Sequence, residues 1–144
     1  MRRFHRARDK EAVIDAIIAN GKGAFSHIWQ VLIFASCLGW KLKRCEPVTD
    51  SDASVAVPPS VFLNNCACWP GLAHLIALVD MKEPHALNAD EAADEKRIKL
   101  LEGYANGGLS YMQERLEPSA YSIGSVSSFL VEHMLSSTGS SDSI

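Results

Sequence analysis

The sequence predicts a mainly α protein, a compact bundle of about five helices with a loop-rich or short β-hairpin excursion between helices two and three. Three observations lead there. Apolar residues recur three and four apart in several separate stretches, the spacing of one helix face. Prolines, glycines and capping residues bracket those stretches. The periodicity collapses between residues 41 and 68, where Pro47, Pro58 and Pro59 keep company with Asp50, Ser51 and Asp52.

Residues 1–8 read as a basic arm, and Val13, Ile14, Ile17 and Ile18 then define helix one, ending at Asn20-Gly21. Helix two, from Ala24 to Leu38, is apolar nearly all round and should be central, with Gly39-Trp40 as a left-handed C-cap and its apolar clasp. In the excursion, Val55-Ala56-Val57 and Val61-Phe62-Leu63 suit short strands or extended edges. Trp69-Pro70-Gly71 opens helix three, which runs to Met81; proline is favourable in a first turn because its missing N–H would be unpaired there.

Asn88 and Glu91 resemble a capping box, and Asp90, Glu91, Asp94 and Glu95 suit the positive end of a helix dipole. A long fourth helix follows, with Ile98, Leu101, Ala105, Leu109, Met112 and Leu116 on its apolar face, running through to Pro118. Gly107-Gly108 inside it either bends the helix or admits another backbone. Ser125 to Leu135 suits a last helix burying Val126, Phe129, Leu130 and Met134. The division expected is therefore one helical domain over 1–135 and a flexible Ser-rich tail over 136–144.

A chain of 144 residues, 47% apolar and 22% charged, has the composition of an ordinary globular domain and can bury a core without metal or disulfide. Its basic start runs into Asp9, Lys10 and Glu11 rather than the apolar core of a signal peptide. The longest apolar run, Val31 to Ala35, falls far short of the roughly 20 residues that span a bilayer. Export and membrane insertion are not expected, so Cys37, Cys45, Cys66 and Cys68 read as reduced thiols of a cytoplasmic protein. Net charge is only −3, but residues 1–44 hold nine Lys/Arg against three acids and the remainder five against fourteen. The molecule should have a basic end and an acidic end.

The common enzyme signatures are missing: there is no Gly-x-Ser-x-Gly, His-Glu-x-x-His or Walker loop. Asp94-Glu95-Lys96 holds half of a restriction-type nuclease signature, but on a predicted helix rather than on converging strands. Cys66-x-Cys68, with His74 and Cys45 or Cys37, offers zinc-type ligands without the paired spacing of a zinc site, and reads instead as buried inert thiols. Neither a metal nor another cofactor is expected. His27 and His74 lie on apolar helices without an acidic partner nearby in sequence.

The binding signal is basic. Arg2, Arg3, Arg6, Arg8 and Lys10, with His5, form one cluster, and Lys41, Lys43 and Arg44 form a second. Gly21-Lys22-Gly23 adds either an anion cradle at a helix start or a plain turn. On one face, these cations would make a phosphate-backbone footprint; the alternatives are an acidic protein partner or a merely solvated terminus. Tyr104, Asn106, Gly107 and Gly108 read as a structural or partner-docking element, not a catalytic one.

Two stretches carry a family resemblance. One is Arg-Arg-x-x-Arg-x-x-Asp9-Lys10-Glu11 with the later Leu38-Gly39-Trp40-Lys41; the other is Glu102-Gly103-Tyr104-Ala105-Asn106-Gly107-Gly108-Leu109. In order, from about Arg3 to Leu116, the chain resembles the small proteins called Dnd system-associated protein 4, encoded alongside bacterial DNA phosphorothioation genes. The resemblance implies a setting in which Dnd proteins replace a non-bridging phosphate oxygen with sulfur and associated proteins use the mark to tell self from invading DNA. It brings no catalytic residues. A phosphorothioate keeps its charge but is larger and less hydrated at sulfur, so a reader would need cations beside an apolar contact.

The expected role is thus a non-catalytic accessory subunit of a phosphorothioation-linked modification or restriction system in phage defence, not an enzyme. It would contact the DNA backbone, a larger Dnd-system protein, or both, with self-association left open. The alternatives are a protein–protein adaptor without DNA binding, or a small metal-dependent nuclease or hydrolase.

Overall fold

The computed structural model describes residues 2–18, 23 and 25–115. Five α-helices carry the fold among them: α1 (Glu11–Ile18), α2 (Ile28–Lys41), α3 (Pro59–Asn65), α4 (Trp69–Met81) and α5 (Glu91–Arg115). The mainly α expectation holds. No sheet forms among the described residues, where two isolated antiparallel bridges pair Phe4 with Val57 and Ala7 with Ser51. Lys22, the Ser125–Leu135 helix and the tail over 136–144 lie outside the described residues.

α2 lies against α5, and small residues set how closely. A Cβ on Gly108 would stand 2.1 Å from the Ala35 carbonyl oxygen, and one on Gly39 would stand 2.0 Å from that of Tyr104. Around this contact Val31, Leu32, Ala35, Leu101, Leu109 and Met112 are sealed from solvent. Burying a side chain the size of Leu32 contributes about 1.5–3 kcal/mol, so this seam is a substantial source of apolar stabilisation. Ser36, buried in the same seam, donates its hydroxyl to the Leu32 carbonyl at 2.8 Å. That removes the cost of an unpaired polar group there.

The structure corrects four local readings. Gly39 does not cap α2; it is buried inside the helix, which ends at Lys41, and the left-handed residue is Lys43 (φ 56°). Its missing Cβ serves the contact with Tyr104 rather than a turn. Val61-Phe62-Leu63 is not a strand but the middle of α3, because Pro58 and Pro59 preset the backbone entering a helix and Phe62 turns into the core. No hairpin forms in the excursion among the described residues. The cap of α5 is Asp90, whose carboxylate accepts the Ala93 N–H at 2.8 Å. Asn88 is instead the end of a 3-10 turn over Pro84–Leu87, its N–H donated to His85.

Candidate functional site

Within the basic segment, Phe4 and Ala7 stand three apart, and both are buried. The Phe4 ring packs on Phe62 and Trp69 at centroid distances of 5.5 and 6.2 Å, and Phe62 stacks on Trp69 at 4.5 Å. Phe4 and Val57 exchange both backbone hydrogen bonds at 2.9 Å, and the Arg8 N–H donates to Asp50 at 3.0 Å. The segment is therefore not the solvated arm that its charge suggests. An aromatic anchor in the core and extended pairing with the 50–57 loop hold it down.

Its cations are largely matched within the chain. Arg2 donates through Nη1 to Glu95 at 2.8 Å and through Nη2 to Glu102, while its backbone N–H donates to Asp94 at 3.0 Å. Glu102 also accepts the His5 backbone N–H at 2.5 Å, and His5 Nδ1 stands 3.4 Å from the same carboxylate. Burial pushes the Glu102 carboxyl above the ordinary glutamate value, and the His5 N–H and the Arg2 and His5 charges oppose that shift. Arg6 is bonded to Glu11 with its side chain only 10% exposed, and Lys10, its side chain 6% exposed, places its ammonium 3.1 Å from Asp9. Arg8 pairs with Asp50 at 3.0 Å, but out in solvent.

In the second cluster, Arg44 donates from Nε to Glu46 at 2.6 Å and from Nη1 to Glu114 at 3.0 Å. The guanidinium holds the Glu114 carboxyl below its usual range. Lys41 and Lys43 are exposed, as is Arg3. The two clusters do meet at one end of α5: Gln113 donates to the Asp9 carbonyl at 3.0 Å, and its neighbour Glu114 binds Arg44. The meeting point is mixed in sign, because Asp9, Glu46 and Glu114 are interleaved with the cations. Beside Arg2 a cleft of about 430 Å³ opens, walled by Arg2, His5, Lys99 and Glu102, which is again mixed.

The Tyr104-to-Gly108 stretch is placed inside the fold. The Tyr104 hydroxyl donates to Asp80, fastening α4 to α5, and burial together with the Asp80 charge pushes that hydroxyl above the ordinary tyrosine value. Asn106 donates to the Glu46 carbonyl at 3.0 Å, Ser110 to the Glu46 carboxylate at 2.8 Å, and the Glu46 N–H donates to the Gly103 carbonyl at 2.9 Å. Gly107 makes room for this loop, since a Cβ there would stand 2.0 Å from the Arg44 carbonyl oxygen. Thus the glycine motif and the second basic cluster, which look unrelated in sequence, hold each other in place.

Sequence reasoning missed Glu102, Glu46 and Asp80, the acids that organise the site. A signal existed for the first: Glu102, Asn106 and Ser110 recur four apart, and all three are buried. Asp94 and Glu95, two residues of the nuclease-like Asp94-Glu95-Lys96 triplet, are helical and engaged with Arg2. His74 Nδ1 is bonded to the Pro70 carbonyl at 2.6 Å, and no three His, Cys, Asp or Glu side chains among the described residues are grouped to hold a metal. The thiols are not uniformly buried as expected; Cys45 and Cys68 are exposed.

The fold and site define a class: a small helical protein whose basic first segment is folded back on the core, with Arg2 paired to the long helix α5 and Arg6, Arg8 and Lys10 paired to Glu11, Asp50 and Asp9. Over residues 3–143 the chain matches DNA sulphur modification system-associated protein 4 and belongs to that family, which is associated with a DNA sulphur modification, or Dnd, system. No curated protein and no solved structure matches it. Among the described residues no single helix is long and apolar enough to cross a membrane.

Proposed function

We propose that this protein is a non-catalytic accessory subunit of a phosphorothioation-linked modification or restriction system, working in the cytoplasm by docking on a larger protein of that system. The observation that carries this reading is the internal pairing of Arg2, Arg6, Lys10 and Arg44 with the chain's own carboxylates. Taking a partner away from a buried charge costs about 3–5 kcal/mol, so the shielded members of this set are poorly placed to be given over to phosphate. A mixed-sign surface rejects a polyanion and accepts a protein face with complementary alternating charge.

A second reading rests on a different observation. Arg3, Arg8, Lys41 and Lys43 are exposed. If all four neutralised duplex phosphates, log affinity would fall against log salt with a slope of about −3.6, from 0.9 per contact.

One experiment separates the two. Tagged protein is recovered from its native host, co-purified proteins are identified by mass spectrometry, and the pure protein is titrated with plain and phosphorothioated duplex near 50 mM salt, the low end of the range where such contacts are strong. Recovery of a Dnd-system protein without duplex affinity supports docking. Salt-steep binding of duplex by the pure protein, with no such partner recovered, overturns it in favour of direct DNA contact.

A further inference from the structure

Outside this site, a pair of reactive side chains meets in the elbow between α3 and α4. α3 stops at Asn65, and Cys66 follows in extended backbone (φ −136°, ψ 98°) with its N–H held by the Phe62 carbonyl at 2.8 Å. Two residues on, Cys68 is the N-cap of α4, and its carbonyl accepts the Leu72 N–H at 2.9 Å. The Trp69 N–H closes the turn on the Cys66 carbonyl at 3.1 Å, and the two helices meet at 113°. The backbone is thus fixed before, between and after the two cysteines. Their sulfurs stand 3.1 Å apart, with Cys68 exposed and Cys66 half-buried.

We propose that Cys66 and Cys68 form a thiol–disulfide exchange site, closed to an intramolecular bridge by low-molecular-weight disulfides. The exposed Cys68 sulfur, as thiolate, attacks one sulfur of the small disulfide; that S–S bond breaks and one small thiol leaves. The Cys66 thiolate then attacks the Cys68 sulfur of the mixed disulfide, forming the internal bond and releasing the second small thiol. Two protein thiols are oxidised, one small disulfide is reduced to two thiols, and both protons end on the released thiols. A second thiol already in contact with the first makes the closing step effectively unimolecular, which favours it over a second external encounter.

What sets the pair apart from the other two cysteines is contact: among the described residues, sulfur meets sulfur at Cys66 and Cys68 alone. Burial pushes the Cys37 thiol up, and the Cys68 sulfur adds to that; burial also raises the Cys45 thiol, with Asp80 and Glu46 reinforcing it. Contact with Cys66 raises the Cys68 thiol too, so the first attack is slow at neutral pH. Exchange should therefore quicken as pH rises, while the closing step stays fast.

The test is to incubate the full chain with excess oxidised glutathione, quench in acid, alkylate the free thiols and map them by peptide mass spectrometry. The expected product has lost two hydrogens and carries a Cys66–Cys68 bridge that outnumbers glutathione adducts by at least about tenfold, as a preformed contact demands. Cys66→Ser should stop at a glutathione adduct on Cys68, and the Cys37→Ala/Cys45→Ala double variant should bridge as the parent does. Four alkylatable thiols surviving the treatment, or a bridge that involves Cys37 or Cys45 instead, would overturn the assignment. Circular dichroism of each variant separates a lost site from a lost fold.

Discussion

Residues 2–10 and residues 102–110 are both anchored to the core, but opposite means hold them there. The first stretch is fastened by what its side chains carry: Phe4 among aromatic rings, and Arg2, Arg6 and Lys10 against carboxylates. The second is fastened by what its side chains lack, since Gly107 and Gly108 let Arg44 and Ala35 backbone come to distances that a Cβ would forbid. Glu102 belongs to both, closing the Arg2 and His5 end on one side and starting the buried polar row of α5 on the other. The contrast separates two kinds of fragility: the anchored segment should fail when a side chain is removed, and the glycine stretch when one is added.

The sharpest way to break that contrast is Phe4→Ala. Truncating a fully packed phenylalanine costs about 3–5 kcal/mol, whereas a solvated arm would lose almost nothing. Chemical denaturation should show a large drop in midpoint with little change in slope. A variant as stable as the parent would mean that the segment is peripheral after all.

Next come Gly107→Ala and Gly108→Ala. On an isolated helix each exchange would gain about 1 kcal/mol of helix propensity, yet here overpacking should cost about 1–3 kcal/mol net. The sign is the test: a stabilised variant in thermal melts would show that the backbones are not in contact. Gly71 serves as the control, because nothing lies within 4 Å of its Cβ position. Its alanine variant should melt no lower than the parent.

The different legibility of the two stretches has a physical cause. Two adjacent glycines inside a helical pattern are locally costly, so the sequence itself demands some compensation, and a close backbone approach is one of the two readings, beside a bend, that Gly107-Gly108 allows. Charge carries no such demand. Arg2 and Glu102 are a hundred residues apart, and nothing in the basic run points to the acids on α5 that meet it. The apolar pair Phe4 and Ala7 was the available clue, hidden by the cations around it. Helix one, helix three and the long fourth helix were legible because their periodicity is local; α3 was not, since three apolar residues fit a strand or a short helix equally well.

A smaller effect sharpens the role of the residue the two stretches share. Burial raises the Glu102 carboxyl above the ordinary glutamate value of 4.5, so the folded state holds its proton more tightly than the unfolded state. The sign follows: Glu102's contribution to stability is fully present below about pH 4.5 and is lost as pH rises through the higher folded-state value. Glu102→Gln removes this titration, so its stability should fall less than that of the parent as pH rises from 4.5. Paired urea titrations across that range read the difference. Parallel curves would mean that Arg2 and His5 compensate the burial in full.

The smallest stability effect is that of Arg3, and its contrast with Arg6 bears most directly on function. Arg3 is exposed, while Arg6 is 10% exposed and bonded to Glu11. Arg3→Ala should leave stability within about 0.5 kcal/mol, as surface changes do. Arg6→Ala should cost roughly 1–3 kcal/mol, because it strips a shielded hydrogen-bonded charge from its partner. If any duplex affinity exists, the two should also part in salt dependence: losing Arg3 flattens the slope of log affinity against log salt by about one, and losing Arg6 leaves it unchanged, its charge being already matched inside the chain. Equal flattening by both variants would mean that the Arg6–Glu11 pair opens on DNA, and the self-neutralised segment would then be a phosphate-binding element held in reserve. An unchanged slope for Arg6→Ala beside a flattened one for Arg3→Ala would assign the outer cations to DNA and the inner ones to the fold.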